Sequence, residues 1–330
     1  MDVRLDPRDV KKAIEFYYPL QVLQVKKIRA AYRVETCSGV FAFKNALKLK
    51  DLSSLKLAVL ELHRQGFNRV PRLCPSHHTG WLIPYHRETY YMEEWLESVT
   101  EVSPKKMDWL EPAGQALAQF HQVLSSLSPK SFAGSRNAIG RWEMELPWHR
   151  QQVKRWIGYH QGHYKLLQVL HFIHDRLERA ILEEKKARQL ERSGSGRRSI
   201  SFCHGSLHHE NIMMDSWSQV WLIDYERMVW DRRVRDLAQL MQYHFEKHDW
   251  PIKDVSRFIQ AYHKVSPLHE HEWHDLKARM LLPSRLLSSM YQVFEHKAWN
   301  EKRWKRLVTA VNQEQRKKSV LEEGLFPSLG

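Results

Sequence analysis

The stretch that decides the fold is ISFCHGSLHHENIMMD, residues 200–215, which is followed closely by VWLIDYER, residues 220–227. The apolar run that opens each segment predicts a short strand, and the polar residues between these runs predict a loop. His204, Asn211 and Asp224 stand at the strand ends. An asparagine amide oxygen and an aspartate carboxylate on neighbouring strand ends can hold Mg²⁺ against nucleotide phosphates. The spacing therefore favours a kinase-type site.

This segment resembles the catalytic region of aminoglycoside phosphotransferases and choline kinases, which reads H-G-D-x-x-x-x-N and then ends a strand on I-D-[FY]. The resemblance implies that His204 is a structural residue of the catalytic loop and that Asn211 and Asp224 bind the metal. It further implies that Asp236 accepts hydrogen bonds from the loop backbone, and that ATP and Mg²⁺ are the cofactors. One position departs from the pattern, because Ser206 stands where the family has its catalytic aspartate.

Ser206 leaves the enzymatic activity of the chain open. A serine hydroxyl has no useful basicity near pH 7, so the contribution of a general base, typically about 10²–10⁴ in rate, should be lost. Phosphoryl transfer relies mainly on positioning and charge stabilisation, so this loss need not abolish it. His208 and Glu210 are close enough in sequence to act as substitute proton acceptors. A degraded and a retained phosphotransferase are both compatible with this loop.

The N-terminal part of the chain is predicted to be a small β-rich lobe. Apolar runs on both sides of a turn at residues 36–39 predict a hairpin whose second arm ends on Lys44. The spacing of apolar residues over 51–66 predicts one helix. A further strand, YYMEEW at residues 90–95, leads into a polar bend.

The rest of the chain is predicted to be mostly helical, with the catalytic-type loop of residues 200–236 set among the helices. The order of elements predicts an α+β, bilobal, protein-kinase-like fold of the aminoglycoside phosphotransferase type. The expected lobes are residues 1–97, which would bind nucleotide, and residues 98–330. Helices are predicted over residues 109–124, 142–158, 164–190, 236–245, 255–265, 274–294 and 301–322.

The nucleotide-binding residues predicted in the first lobe begin with Lys44. A lysine at the end of a central strand can reach the α- and β-phosphates of ATP as a point charge. Glu61 on the following helix is the expected ion-pair partner of Lys44, although Glu35 and Asp51 are also in range.

Glu93 and Glu94 lie in the strand that resembles the hinge between the lobes, where backbone groups read the adenine edge. An ordinary strand is an equally good interpretation of this stretch. The expected phosphate loop, residues 26–31, contains no glycine, which weakens the case for ATP binding without excluding it.

Composition restricts the classes of protein that the chain can represent. The formal net charge is +14, but the basic residues are scattered and no nucleic-acid-binding motif accompanies them, so solvated basic faces are expected. Three cysteines without metal-ligand spacing argue against a disulfide framework and favour a reducing interior. No apolar run approaches the length of a membrane span. The histidine-rich stretch of residues 268–274 lacks zinc-protease spacing and is expected to be solvated.

Segments beyond the catalytic loop resemble the CotS-type spore coat protein family, in the branch labelled YsxE. They are RQGF at residues 64–67, YMEEW at 91–95 and LAQFH at 117–121. The resemblance implies synthesis in the mother-cell cytoplasm, deposition on the spore coat, and other coat proteins as partners.

The function favoured by these observations is that of a degraded phosphotransferase, or pseudokinase, associated with the spore coat. An active ATP- and Mg²⁺-dependent phosphotransferase acting on a small molecule or a coat protein is the first alternative. A basic nucleic-acid-binding protein is the second. The phosphoryl acceptor is not predicted, because the second lobe builds acceptor pockets from variable helices.

Overall fold

The computed structural model describes residues 5–49, 51–127, 136–159, 164–193, 199–245, 251–294, 301–322 and 326. Within these ranges the chain forms an antiparallel N-terminal sheet and a larger, mostly helical C-terminal part. The strands are β1 Val22–Ile28, β2 Ala31–Thr36, β3 Gly39–Asn45, β4 Leu73–Cys74, β5 Ile83–Tyr85, β6 Glu88–Glu94, β7 Val99–Glu101, β8 Ile200–Cys203, β9 Ile212–Asp215, β10 Val220–Leu222 and β11 Val229–Arg232. The helices are α1 Pro7–Tyr17, α2 Leu52–Arg64, α3 Leu110–Leu124, α4 Arg141–Tyr159, α5 Tyr164–Arg192, α6 Val234–Phe245, α7 Ile252–Val265, α8 Glu270–Leu281, α9 Ser284–Phe294 and α10 Glu301–Glu322.

The N-terminal sheet has the strand order β1-β2-β3-β6-β4, and β5 pairs with the end of β6. Side chains alternate between the two faces of each strand, which places Val34, Phe43 and Tyr90 in one buried layer. Phe43 and Tyr90 stack with their ring centroids 4.9 Å apart. Because β3 and β6 are central in this sheet, residues on them have a fixed register relative to one another.

Helix α1 covers this core and was not predicted from the sequence. It contributes Val10 and Ile14, which are fully buried against the sheet residues. Its start signal is nevertheless present in the sequence. The Asp6 side chain accepts a hydrogen bond from the backbone N–H of Arg8 at 2.8 Å, and Pro7 occupies the first helical position.

The catalytic-type segment forms two small antiparallel units beside the cleft. Strand β8 pairs with β11, whereas β9 pairs on one side with β10 and on the other with β7. The sequence predicted β8 and β10 but neither β9 nor β11. Strand β6 ends at Glu94 and β7 begins at Val99, so the expected lobe boundary after residue 97 falls in the connection between them.

The helical part is organised by three packed pairs, α3 with α7, α4 with α5, and α5 with α8. Its core includes the fully buried side chains of Trp109, Phe120 and Phe258. At the crossing of α3 and α7, a Cβ atom on Gly114 would lie 2.5 Å from the Phe258 carbonyl oxygen, so glycine is required for this approach. The α+β arrangement predicted from the sequence is confirmed.

The predicted helix over residues 274–294 is wrong in one respect. The structure has two helices here, α8 and α9, and Pro283 lies between them. A proline lacks the backbone N–H that a helix interior needs and its ring clashes with the preceding turn, which explains the break.

The expectation that residues 268–274 are solvated is also wrong. Helix α8 packs against α5, and this contact buries the side chains of His271, Glu272 and His274. His274 Nδ1 lies 2.6 Å from a carboxylate oxygen of Glu183 on α5. The arginine at position 233 forms two hydrogen bonds with Glu272, at 2.6 and 2.7 Å. These polar residues therefore join the helices of the C-terminal part.

Candidate active site

Lys44 lies where the N-terminal sheet meets the segment that carries Asp224. It is on β3, directly opposite Tyr91 of β6, and its side chain is only 12% exposed. Its Nζ atom is 2.8 Å from a carboxylate oxygen of Glu93 and 2.5 Å from Oδ1 of Asp224. The second contact joins a strand of the N-terminal sheet to the loop that follows β10. The structure thus brings together two of the residues predicted to surround nucleotide phosphates.

The carboxylates of Glu93, Asp224 and Glu226 all act on the charge of Lys44. This excess of negative over positive groups determines the electrostatics of the site. Burial acts to lower the pKa of Lys44, but the charges of Glu93, Asp224 and Glu226 outweigh it and raise that pKa above its ordinary value. The pKa of Glu93 is also raised, because burial disfavours its charge and Lys44 offsets this only in part. Tyr91 donates a hydrogen bond from its hydroxyl to Glu226 at 2.6 Å. The site therefore holds a firmly protonated lysine and an excess of acidic groups.

Asp224 adopts a conformation that is uncommon for a residue with a side chain. Its φ is +60° and its ψ is +42°, in the left-handed region, and it begins the turn that leads to β11. Such backbone conformations cost of order 1–3 kcal/mol and occur preferentially at functional sites. The Asp224 side chain contacts Lys44 and is nevertheless 49% exposed.

The catalytic-type loop is held from below by Asp236, the first-turn acidic residue of α6. Its carboxylate accepts hydrogen bonds from the backbone N–H of His204 at 2.5 Å and of Gly205 at 3.0 Å. His121 Nε2 lies 3.1 Å from the same carboxylate, and Tyr262 contacts the other ring nitrogen. Burial alone would raise the pKa of Asp236, but these partners lower it below its ordinary value. Asp236 is therefore placed as a charged acceptor for the loop backbone.

Gly205 allows the loop to lie close to the turn that contains Arg227. Its φ is +74°, and a Cβ atom here would collide with the carbonyl oxygen of Arg227. His204 joins the same two segments, since its Nε2 contacts the Ile223 carbonyl at 2.8 Å. Burial lowers the pKa of His204, so the ring is neutral and this nitrogen is the donor.

Asn211 connects the loop to the strand that carries Asp224. Its Nδ2 donates to the Ser206 carbonyl at 2.8 Å, and its own backbone carbonyl accepts from the Ile223 N–H at 3.0 Å. With the amide nitrogen engaged in this way, the amide oxygen is the end of the side chain left for a cation. Asn211 is buried, and its backbone hydrogen-bond partner, Ile223, is the residue directly before Asp224.

Ser206 is half-buried at the bend of the loop. The loop after it is fixed by Gln239, whose side-chain oxygen accepts from the Leu207 N–H at 2.8 Å. His208 Nδ1 and a carboxylate oxygen of Glu210 lie 3.9 Å apart on the same loop. The loop therefore carries a hydroxyl at position 206, with an imidazole and a carboxylate further along.

The remaining predicted residues are placed differently from expectation. Glu61 pairs with Arg64 at 2.7 Å and with Gln65 at 2.9 Å on its own helix, rather than with Lys44. These hydrogen bonds lower the pKa of Glu61 to about 2. Glu93 contributes its side chain to the Lys44 pair, while its backbone lies within the sheet opposite Ala42. The hinge role expected for the Glu93 backbone stays a prediction.

Glu94 ends β6 and its side chain is exposed. Its backbone N–H donates to the Arg72 carbonyl at 2.8 Å, so this group is engaged within the protein. The assignment of Glu94 to nucleotide binding stays a prediction.

Sequence reasoning missed two residues of the site, Arg136 and Glu226. The buried guanidinium of Arg136 donates to three backbone carbonyls, those of Asp51 at 2.9 Å, Glu226 at 3.0 Å and Met228 at 2.7 Å. It thereby ties the start of α2 to the turn after Asp224. Arg136 stands outside any motif, so no sequence signal identified it, whereas Glu226 was visible within the I-D-Y-E string.

Comparison with known families finds a match in the second half of the chain. Residues 187–324 match the family model described as "Spore coat putative kinase YutH". This range includes the catalytic-type loop and the helices that follow it. The expected resemblance to a kinase-like spore coat family is confirmed, with YutH rather than YsxE as the matching label.

Similar solved structures extend over nearly the whole chain. An aminoglycoside phosphotransferase from Alicyclobacillus acidocaldarius has a TM-score of 0.76 at 18% identity, covering 98% of this chain and 96% of that one. The amicoumacin kinase hAmiN, in complex with AMP-PNP, Ca²⁺ and Ami, has a TM-score of 0.58 at 13% identity, covering 98% and 96%. Choline kinase LicA from Streptococcus pneumoniae has a TM-score of 0.54 at 16% identity, covering 96% and 98%. At these identities the likeness establishes the fold, which is the expected kinase-like aminoglycoside phosphotransferase fold.

Among the described residues, every helix is too short or too polar to cross a bilayer.

Proposed function

We propose that this kinase-fold chain, which matches a spore coat kinase family over residues 187–324, is a nucleotide-binding pseudokinase of the spore coat. The observation that carries the proposal is the contrast between the charged pair of Lys44 and Asp224 and the uncharged side chain of Ser206. Lys44 and Asp224 lie 2.5 Å apart, so a cation suited to phosphate and a carboxylate suited to a metal stand side by side, while the sequence has Ser206 where the resembled loop has its proton-accepting aspartate. The proposal therefore separates binding of nucleotide from transfer of its phosphoryl group.

The side chains of the site fit ATP and Mg²⁺. The Asn211 amide oxygen and the Asp224 carboxylate are hard oxygen donors of the kind that Mg²⁺ prefers, and the acidic excess around Lys44 favours a divalent cation. Lys44 supplies the positive charge that phosphate oxygens need. The likeness to an amicoumacin kinase solved with AMP-PNP and Ca²⁺ gives further support.

The work of the chain's own residues would be positioning rather than proton transfer. Lys44 would orient phosphate oxygens, and Asn211 and Asp224 would hold the cation, with Asp236 keeping the loop in place. Bound ATP would supply the phosphoryl group, and bound Mg²⁺ would neutralise its charge. Ser206 would place a hydroxyl beside an acceptor without taking its proton, which would leave a transfer rate about 10²–10⁴ lower than that of a site with a base.

An active phosphotransferase is a second candidate, and one observation favours it. His208 Nδ1 and a carboxylate oxygen of Glu210 lie 3.9 Å apart on the loop that carries Ser206, so two groups able to accept a proton follow the serine closely. His208 would then accept the proton that Ser206 does not. The acceptor would be a small molecule or a coat protein.

Association with the spore coat follows from the matched family and remains part of the proposal, as do synthesis in the mother-cell cytoplasm and contacts with other coat proteins. Separate lobes over residues 1–97 and 98–330 are likewise proposed, with nucleotide held between them.

Calorimetric titration with ATP and Mg²⁺ tests the proposal. The natural protein should bind, and Lys44→Met should weaken binding by about 10- to 100-fold, because one charged contact contributes about 1.5–3 kcal/mol. Lys12→Met, which removes an exposed lysine on α1, is the matched control and should leave affinity unchanged. Absence of binding to the natural protein would refute the nucleotide site. Fast Mg²⁺-dependent turnover that collapses in Asp224→Asn and in His208→Gln would instead favour the active kinase.

A further inference from the structure

The ion-pair partner of Lys44 comes from the sheet and not from helix α2. Strands β3 and β6 are antiparallel neighbours in which Lys44 lies opposite Tyr91. Glu93 follows two residues later and therefore projects from the same face, where a diagonal neighbour is within reach of a long side chain. The Nζ to carboxylate distance of 2.8 Å shows that this reach is used.

Helix α2 directs its own glutamate elsewhere. Its buried face is formed by Leu55, Val59 and Leu62, and Glu61 turns to Arg64 one turn further along. An ion pair that joins a strand to a helix can be opened by movement of the helix. A pair between adjacent strands is held by the hydrogen-bond ladder, so movement of α2 would leave it intact.

We propose that Glu93 is the positioning residue that holds Lys44 towards the phosphates, in place of a glutamate on α2. The proposal deepens the proposed function, on which it rests for the role of Lys44. In the structure Lys44 contacts both Glu93 and Asp224. Once Asp224 is engaged with a cation, Glu93 is the counter-charge that keeps the Lys44 side chain in the cleft.

This arrangement has a second consequence for cation binding. Without Glu93, Lys44 has Asp224 as its remaining carboxylate contact at hydrogen-bond distance among the described residues. The lysine would then compete with the cation for that carboxylate. Loss of Glu93 should therefore raise the Mg²⁺ concentration needed for nucleotide binding, in addition to weakening the nucleotide contact itself.

A double-mutant cycle with ADP as the probe tests the inference by calorimetry across a range of Mg²⁺ concentrations. Glu93→Gln should weaken ADP binding about 10-fold or more and shift its Mg²⁺ dependence upward in the natural background. In the Lys44→Met background the same change should alter affinity less than about 2-fold. Glu61→Gln on α2 is the matched control and should have little effect in either background. Glu93→Asp keeps the charge and should restore part of the loss; it also replaces Glu93→Gln in the cycle if that variant does not fold.

The outcomes separate failure of this inference from failure of the proposed function. A strong effect of Glu61→Gln with no effect of Glu93→Gln would overturn the inference, and so would an effect of Glu93→Gln that persists fully without Lys44. If the natural protein does not bind ADP, the proposed function fails. The same cycle measured by denaturant unfolding then decides whether Glu93 or Glu61 is coupled to Lys44, with coupling to Glu61 overturning the inference.

Discussion

The candidate site has two parts, a phosphate side around Lys44 and an acceptor side around Ser206, and these parts differ in the charge of their polar groups. On the phosphate side, Lys44 is in contact with Glu93 and Asp224, and every one of these groups carries a charge suited to a phosphate or a cation. On the acceptor side, Ser206 offers an uncharged hydroxyl at the bend of the loop. Yet the loop backbone is hydrogen-bonded at Ser206 too, where its carbonyl accepts from the Asn211 side chain at 2.8 Å. In the proposed kinase site, the frame and the proton chemistry would therefore be supplied by separate residues.

The frame consists of contacts that do not depend on the residue at position 206. Asp236 accepts from the backbone of His204 and Gly205, and Asn211 donates to the backbone carbonyl of Ser206. Because these hydrogen bonds involve main-chain atoms, a serine and an aspartate at this position would be held alike. The comparison can therefore be tested by changing one side while the other is left as it is.

The largest expected effect is that of Ser206→Asp. A carboxylate on this braced loop would stand where a substrate hydroxyl is expected, and general-base catalysis contributes about 10²–10⁴ in rate, or roughly 3–5 kcal/mol of barrier. ATP turnover or autophosphorylation should rise by that order, with nucleotide affinity changed much less. Ser206→Asn, of similar size but without basicity, is the control and should leave turnover at its natural level. Equal gains in both variants would break the assignment of a base to this position.

Asp236→Ala should have an effect of similar size, but on stability. It removes a buried charged acceptor and leaves two backbone N–H groups and one imidazole nitrogen without their partner, a change that costs about 3–5 kcal/mol. Denaturant unfolding followed by tryptophan fluorescence measures this loss. Asp254→Ala, at the first turn of α7, is the comparison variant and should cost less than about 1 kcal/mol. A small effect of Asp236→Ala would show that the loop frame does not depend on this carboxylate.

A smaller effect is expected from pH, through His204. Burial lowers the pKa of His204 below the ordinary value of 6.5, so the unfolded chain takes up a proton more readily than the folded one. The contribution of this group to stability is complete above pH 6.5 and is lost as the pH falls from 6.5 towards the folded pKa, by up to about 1.4 kcal/mol per pH unit. His204→Gln can still donate to the Ile223 carbonyl and does not titrate. Its unfolding free energy should fall less between pH 7 and pH 5.5, and equal slopes would contradict the assignment.

The same division explains what was predictable from the sequence. The loop motif predicts Asn211, Asp224 and Asp236, because these residues lie in one short segment and their spacing can be recognised in the sequence. The sequence suggests Glu61 as the ion-pair partner of Lys44. Helical phase and distance along the chain cannot reveal that Glu61 pairs instead with Arg64 on its own helix. Glu93 could be identified only from the pairing of β3 with β6, which is a property of the folded sheet.

Other misses have local physical causes. Helix α1 was overlooked although Asp6 and Pro7 form a recognisable start, because its apolar face is short and interrupted by charged residues. Arg136 donates to three main-chain carbonyls from two separate segments, and such partners leave no pattern in a single sequence.

The smallest expected effect concerns the front of the cleft, where Arg29 of the turn between β1 and β2 lies 2.6 Å from Glu101 of β7. The two side chains are 65% and 36% exposed, so water and salt screen the pair. Arg29→Ala should change the free energy of unfolding by less than about 1 kcal/mol, and the difference should shrink further at high salt. Nucleotide affinity measured in parallel distinguishes a surface contact from a phosphate contact. A loss of ATP affinity comparable to that of Lys44→Met would place Arg29 on the phosphate side of the comparison, as a functional substitute for the glycines that this turn lacks.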